Sequence, residues 1–298
     1  MGSMNKSGFA NSVGEILKNR QKRKLLWVPG IPMAILAAIV IITIFAPAIA
    51  PHDPMKQDVY KQFLPPVWMD GGSLEHVFGT DYFGRDILSR LILGTRISIF
   101  VVCTALLISA VIGTAMGLIA GYAGGILDDI IMRISDALIA IPFMVVAIAF
   151  AVAVGSSALS VILIIVAFQW AIYARQIRAE TLSLKKQDFV ALAKIGGASD
   201  RWIIAKHIFP NIIPTVLVLI TTHLGGLILW ESTLSFLGVG LPPATPSWGT
   251  MISEGKNYIL TKWWLSAIPG IVIVITVFAT NVFGDWIRDR LDPKLRQQ

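Results

Sequence analysis

The chain has 298 residues, of which 55% are hydrophobic and only 14% are charged, and its mean hydropathy is +0.72. Soluble domains of this length are far more polar, so the composition excludes an ordinary soluble protein and indicates an integral membrane protein. The formal net charge of +7 does not indicate nucleic-acid binding, because the basic residues lie beside the apolar segments, where membrane topology explains them.

Six apolar segments are long enough to cross a hydrocarbon core of about 30 Å as helices of about 20 residues. They show no alternation with a period of two, which disfavours a β-barrel and favours an all-α membrane domain. The predicted spans cover residues 27–50, 97–120, 138–155, 158–176, 209–230 and 264–284. The sequence contains no internal repeat. It divides into an N-terminal segment 1–26, one transmembrane domain 27–286 and a C-terminal tail 287–298.

The charged residues of the connecting segments predict the orientation of the chain in the membrane. Six basic residues precede the first span, six lie in segment 177–208 and four in the tail, whereas the loop 231–263 has two. Lys and Arg concentrate on the cytoplasmic side of membrane proteins. Both termini and segment 177–208 are therefore expected in the cytoplasm of a bacterium or archaeon, with the chain crossing the cell membrane several times.

Charged residues near the predicted spans need separate interpretations. Arg85, Arg90 and Arg96 alternate with acids before the second span, which predicts an amphipathic helix at the membrane surface. Glu231 and Asp136 lie at span ends, where an interfacial position is expected. Because the span interiors are otherwise nearly free of carboxylates, the sequence argues against an ion-coupled carrier.

A search for catalytic or cofactor-binding patterns finds none. The stretch 249–256 has the wrong glycine spacing for a phosphate loop and lacks Ser or Thr after its lysine. HExxH and GxSxG motifs do not occur, and the four histidines, at positions 52, 76, 207 and 223, show no ligand spacing. The sequence therefore predicts no catalytic residue, no metal site and no bound cofactor.

Gly113, Gly117 and Gly121 recur every four residues along the second span. They form overlapping GxxxG motifs, and such motifs let a neighbouring helix approach closely. Their predicted role is helix packing, with lining of a pathway as the alternative. Gly124 and Gly125 follow and are expected to end this helix.

The stretch 189–210 breaks the hydrophobic pattern between the fourth and fifth spans. Phe189, Leu192, Ala193 and Gly196 share one face of a short helix, which Gly196 and Gly197 should end. Ser199 or Asp200 is expected to cap a second helix, and Pro210 to mark the start of the fifth span. Such a helix-turn-helix suits lying on anionic lipid, capping the bundle, or docking onto a cytoplasmic partner.

This stretch resembles the EAA loop of membrane subunits of ABC importers, specifically C-type permeases of the dipeptide, oligopeptide and nickel group. Residues 189–193, Gly197 and 207–211 match that loop, with Ala191 at the position of the motif's glutamate. Further matches follow in order along the chain at 78–81, 84–90, 120–125, 234–238, 246–251, 284–285 and 291–294.

The resemblance implies a six-helix subunit with the type I ABC importer permease fold. It implies three kinds of partner: a homologous second permease, two cytoplasmic ATPases that bind ATP and Mg, and an extracytoplasmic solute-binding protein. The EAA loop would form coupling helices seated in a cleft of one ATPase. The coupling residues carried over are Phe189, Val190, Ala191, Leu192, Ala193, Lys194, Gly197, Ala198, Ser199, Asp200 and Arg201.

The implied function is uptake of di- or oligopeptides driven by ATP hydrolysis in the partner subunits. The alternatives are an importer of the same architecture for nickel or another small solute, a self-contained channel or secondary carrier, and a scaffold that anchors cytoplasmic proteins. Extracytoplasmic segments 75–90 and 231–262 are expected to meet the binding protein. The sequence does not indicate which residues contact the substrate.

Overall fold

The computed structural model describes residues 29–291, and within them all regular structure longer than one bridge is helical. The N-terminal basic residues, Lys294 and Arg296 lie outside the described residues, so the charge predictions made for them have no structural counterpart. The helices are α1 Gly30–Ile49, α2 Ile87–Ala123, α3 Gly125–Ala140, α4 Phe143–Val154, α5 Ala158–Lys185, α6 Asp188–Ile195, α7 Asp200–Phe236, α8 Trp248–Gly255 and α9 Trp264–Leu291.

The long helices form a bundle in which α2 packs along α5, and α7 packs against both α2 and α9. Leu106, Ile165 and Ile228 belong to its main hydrophobic core. Among the described helices, α1, α2, α5, α7 and α9 are long and apolar enough to cross a membrane. Exposed apolar side chains cover the outside of the bundle, as burial in lipid requires.

The connecting segments gather at two ends of the bundle. The long-loop end carries segments 50–86 and 237–263, which contact each other through the rings of Phe63 and Tyr258. The short-helix end carries the α2–α3 turn and segment 186–208. A second, smaller hydrophobic cluster lies there, built on Ile177, Val190 and Ile203.

The prediction of one helix over 138–155 is wrong, because the chain forms two helices, α3 and α4, that meet at 90°. Pro142 disfavours helical geometry at the preceding residue, and Ile141 accordingly has an extended backbone (φ −87°, ψ 131°). The α3–α4 pair counts as a sixth crossing only if the bent pair is one span.

The prediction of a surface helix around Arg85, Arg90 and Arg96 is also wrong. Asp86 caps α2 by accepting a hydrogen bond from the Ser89 amide, and the helix then runs unbroken for 37 residues. Arg90 and Arg96 therefore belong to α2 itself. Arg85 precedes the helix and is buried rather than spread on a surface.

The regular α-helical part of the fifth span begins at Phe209 with Pro210 in its first turn, as expected, but the helical run of α7 extends back to Asp200. A wider π-helical turn over Ile204–Ile208 precedes the proline, and the Phe209 amide bonds to the carbonyl of Ile204. Such a turn changes the hydrogen-bond register at the point where proline lacks a donor. The second short helix is thus continuous with the span.

Candidate functional site

The short helix α6 and the first turn of α7 form a compact unit, which we call the 188–208 unit. α6 ends at Gly196, whose amide donates to Leu192 O at 2.9 Å, and the Ala198 amide bonds back to Ala193 O at 3.1 Å. Gly197 supports this turn with a φ of +82°, a conformation that favours glycine. Ser199 then caps α7 by accepting from the Trp202 amide at 3.4 Å.

A small set of buried apolar residues holds the unit to the bundle. Val190 and Ile203 are buried with Ile177, Ile208 and Ile212. On the predicted apolar face, Phe189, Leu192 and Gly196 are exposed and Ala193 is partly buried. Val190 lies on the other face of α6, and its side chain packs toward α5 and α7. The predicted apolar face therefore remains accessible to a partner.

Several large apolar side chains of the unit remain open to solvent. Leu192 is 67% exposed and Ile195 is 84% exposed, and about half of the Trp202 surface is exposed. The rings of Phe189 and Trp202 both contact His207, with centroids 5.8 and 4.9 Å away. Isolated apolar residues on a surface are ordinary, but a cluster on one small unit indicates a contact surface.

Polar contacts also tie the unit to α2. The Tyr122 hydroxyl donates to Asp200 Oδ1 at 2.6 Å, and Lys185 Nζ donates to the Tyr122 carbonyl at 2.6 Å. Asp200 therefore bonds to a neighbouring helix, and Ser199 rather than Asp200 caps α7. Of the other predicted coupling residues, Ala191, Lys194 and Arg201 are exposed, whereas Ala193 and Ala198 are partly buried.

The three glycines of the GxxxG motifs lie at the contact between α2 and α5. A Cβ atom on Gly117 would lie 2.6 Å from Ala174 O, and one on Gly121 would lie 2.7 Å from Thr181 Cβ. The Cβ of Tyr173 is closer still to Gly113. Real Cβ atoms essentially never approach other atoms under 3.0 Å. The α2 and α5 backbones are therefore so close at these positions that only glycine fits.

A buried charge cluster at the long-loop end went unnoticed in the sequence. Arg85 Nε donates to Asp81 Oδ2 at 2.7 Å, and Arg90 Nη1 donates to Glu254 Oε2 at 2.6 Å. Arg85 also reaches Glu254, at 3.1 Å, and Arg90 also bonds to Asp81. The alternating acids and bases at 81–90 indicated ion pairing within this segment. No sequence pattern indicated that the distant Glu254 would join them.

The two acids at span ends differ in their surroundings. Glu231 is fully buried in the bundle and accepts hydrogen bonds from Ser235 Oγ at 2.9 Å and Ser232 Oγ at 3.4 Å. These serines lie one and four residues further along α7 and compensate the carboxylate for the lost water. Asp136 is exposed and pairs with Arg175.

Comparison with known proteins places this architecture in a family. Residues 113–297 match the family described as the binding-protein-dependent transport system inner membrane component. The chain belongs to this family. Residues 31–66 match the N-terminal transmembrane domain of oligopeptide transport permease C. The chain is therefore an ABC importer permease subunit, a multi-pass protein of the membrane.

Individual relatives agree with this assignment. The chain is 42% identical to the dipeptide transport system permease protein DppC of Haemophilus influenzae, covering 87% of this chain and 88% of that protein. It is 38% identical to the probable D,D-dipeptide transport system permease protein DdpC of Escherichia coli, covering 91% of each.

A solved structure agrees at the level of the fold. A chain of the MetNI methionine ABC transporter, in an inward-facing conformation, superposes with a TM-score of 0.57 at 17% identity. The superposition covers 69% of this permease and 98% of the MetNI chain. At this identity the likeness concerns the fold alone. It agrees with the all-helical fold expected from the sequence.

Proposed function

We propose that this permease forms, with a homologous second permease, the translocation pathway of an ATP-driven importer for dipeptides or oligopeptides. The assignment of a peptide substrate rests on the relatives, which are named for dipeptide and D,D-dipeptide transport. The match of residues 31–66 to the oligopeptide permease domain supports the same class.

The proposed topology has six crossings, with the bent α3–α4 pair as the third. The short-helix end faces the cytoplasm together with the segments 1–26 and 287–298, and the long-loop end faces outward. Support comes from the six basic residues of segment 177–208, against two in segment 231–263. The outward loops then meet a solute-binding protein.

The 188–208 unit is the proposed docking site for a cytoplasmic ATPase, and it acts as the coupling helices of this subunit. The observation that carries this proposal is the exposed apolar cluster of Leu192, Ile195 and Trp202 on a unit anchored by buried Val190 and Ile203. A rigid base with an exposed apolar tip suits insertion into a cleft. Lipid contact explains the same exposure less well, because Asp188, Lys194 and Asp200 share the exposed surface.

The partner ATPases bind ATP and Mg, and this subunit transmits their closure. The unit contacts α2 through Tyr122 and is continuous with α7, so its displacement moves two spanning helices together. Binding energy at this remote unit then shifts the equilibrium between inward-open and outward-open arrangements.

The test is to replace Leu192 and Ile195 with aspartate, one at a time and together. Each change places a charge where an ATPase cleft would exclude water, so co-purification with the ATPases should fall at least tenfold. Both side chains are exposed in the free subunit, so the thermal stability of the isolated permease should stay unchanged. ATPase capture and the unfolding temperature are the two measurements.

Leu260→Asp is the matched control, because Leu260 is 97% exposed at the opposite end of the molecule. It should leave ATPase capture intact. Normal capture by the Leu192→Asp/Ile195→Asp double variant would contradict docking through this unit.

A further inference from the structure

Two of the four histidines come together at the long-loop end, although 24 residues separate them in the sequence. His52 follows the end of α1, and His76 lies with Glu75 in the loop that leads toward α2. One potential ligand atom from each of these three residues lies within 4.8 Å of the other two. The two imidazole rings are 4.8 Å apart between centroids. The spacing of the histidines in the sequence did not indicate this juxtaposition.

Both histidines are positioned by the N-terminus of α2. His76 Nδ1 lies 2.9 Å from Asp86 Oδ1, while Ser89 donates to Asp86 Oδ2 from its amide and its hydroxyl, each at 2.7 Å. The His52 amide donates to Ser89 Oγ at 3.0 Å. Asp86 and Ser89 thus fix both the His76 ring and the backbone that carries His52.

The Asp86 contact also fixes the tautomer of His76. An ionised carboxylate only accepts hydrogen bonds, so His76 Nδ1 carries the proton, and the lone pair of the neutral ring is on Nε2. Nε2 is buried, has no hydrogen-bond partner within the described residues, and lies 3.9 Å from Glu75 Oε1. His76 as a whole is only 6% exposed. A buried imidazole nitrogen without a partner, directed at a carboxylate, is the arrangement of an unfilled ligand.

We propose that His52, Glu75 and His76 bind one divalent transition-metal ion of the Zn²⁺, Ni²⁺ or Cu²⁺ class. Two imidazoles and one carboxylate suit these ions, whereas Ca²⁺ and Mg²⁺ require more oxygen ligands. Bonds of about 2.0–2.2 Å to a tetrahedral ion place adjacent ligand atoms about 3.3–3.6 Å apart. Small side-chain rotations close the present separations to that range. The Asp86–His76 contact supplies the outer carboxylate that orients a metal-bound histidine in many sites.

Lys61 competes with the ion for Glu75. Its Nζ lies 2.5 Å from Glu75 Oε1. Glu75 must therefore leave Lys61 in order to bind a cation. Both side chains are substantially exposed, so the exchange needs no movement of the core. The bound ion would tie the segment after α1 to the start of α2.

The experiment uses the full chain, purified with a histidine-free tag and treated with a chelator, and measures Zn²⁺ binding by competition with a chromophoric chelator. The wild type should bind one Zn²⁺ per chain. His52→Gln and His76→Gln should each weaken the affinity more than tenfold, and Asp86→Asn by about ten- to a hundredfold through the orientation of His76. Lys61→Ala should tighten it by up to about fivefold, because the competing ion pair is gone.

His207→Gln and His223→Gln are the matched controls, because they remove the other two histidines and should leave Zn²⁺ affinity unchanged. Cu²⁺ bound to the wild type should also show hyperfine coupling to two nitrogens in its electron paramagnetic resonance spectrum, a result that needs no variant. The proposal is overturned if the wild type shows no saturable binding or no nitrogen coupling. Zn²⁺ affinity that survives in the His52→Gln/His76→Gln double variant would overturn it equally.

Discussion

Gly117 has no space for a side chain, because the backbone of α5 occupies the position that a Cβ atom would take. Ala174 O would lie 2.6 Å away and Ile177 Cβ 2.8 Å away. The spacing of Gly113, Gly117 and Gly121 predicted such a close approach, since GxxxG motifs are typical of it. The sequence could not identify α5 as the partner, because the small residue Ala174 on the opposite helix belongs to no such pattern.

Gly117→Ala should lower the stability of the permease. The added methyl group meets backbone atoms, so α2 and α5 must separate, and overpacking of this kind costs about 1–3 kcal/mol. The measurement is the thermal unfolding temperature in detergent, followed by tryptophan fluorescence.

Gly226→Ala is the control for this change, because Gly226 also lies in a long helix but has no atom within 4 Å of the added carbon. It should leave stability unchanged or raise it by up to about 1 kcal/mol, since alanine favours the helix more than glycine does. Equal unfolding temperatures for the two variants would refute the close-packed contact.

Elements far apart in the chain are joined by side chains that local patterns do not connect. The helices α1, α2, α5, α7 and α9 could be predicted from apolar length, because a membrane demands it. Gly124 correctly predicted the end of α2. The start of α2 at Asp86 and the start of α7 before Pro210 were not predicted, because local contacts decide them. The start of α2 contacts α8 partly through Glu254, which bonds to Arg85 and Arg90 across more than 160 residues.

Glu254→Gln should detach α8 from the start of α2. Arg90 is almost completely buried, and removal of one partner from a buried ion pair costs about 3–5 kcal/mol. Hydrogen exchange should therefore accelerate in α8 and in the first turns of α2, with little change at the short-helix end.

Asp136→Asn provides the comparison, because the Asp136–Arg175 pair is exposed, with side-chain exposures of 64% and 50%. Exposed pairs contribute at most about 1 kcal/mol, so exchange in α8 should stay unchanged. If Glu254→Gln behaved like Asp136→Asn, the charge cluster would not hold these elements together.

At the scale of the whole molecule, the two ends of the bundle are built differently. The long-loop end is fixed by buried charges and by Trp248, whose indole nitrogen donates to Thr95 Oγ1 at 3.2 Å. The short-helix end presents a small rigid unit with apolar residues exposed. The glycines and Ser199 located this unit in the sequence, but the sequence did not indicate which residues anchor it to the bundle. Burial of Val190 rather than Leu192 depends on Ile177 and Ile212, which come from two other helices.

The central claim is that this permease imports peptides only as part of an assembly powered by separate ATPases. The most direct measurement is dipeptide uptake into vesicles that contain this chain, a homologous permease and both ATPases, with the binding protein added outside. Uptake should require ATP and every component, and the Leu192→Asp/Ile195→Asp variant should reduce it at least tenfold. Uptake by this chain alone, driven by an ion gradient without ATPases, would contradict the account.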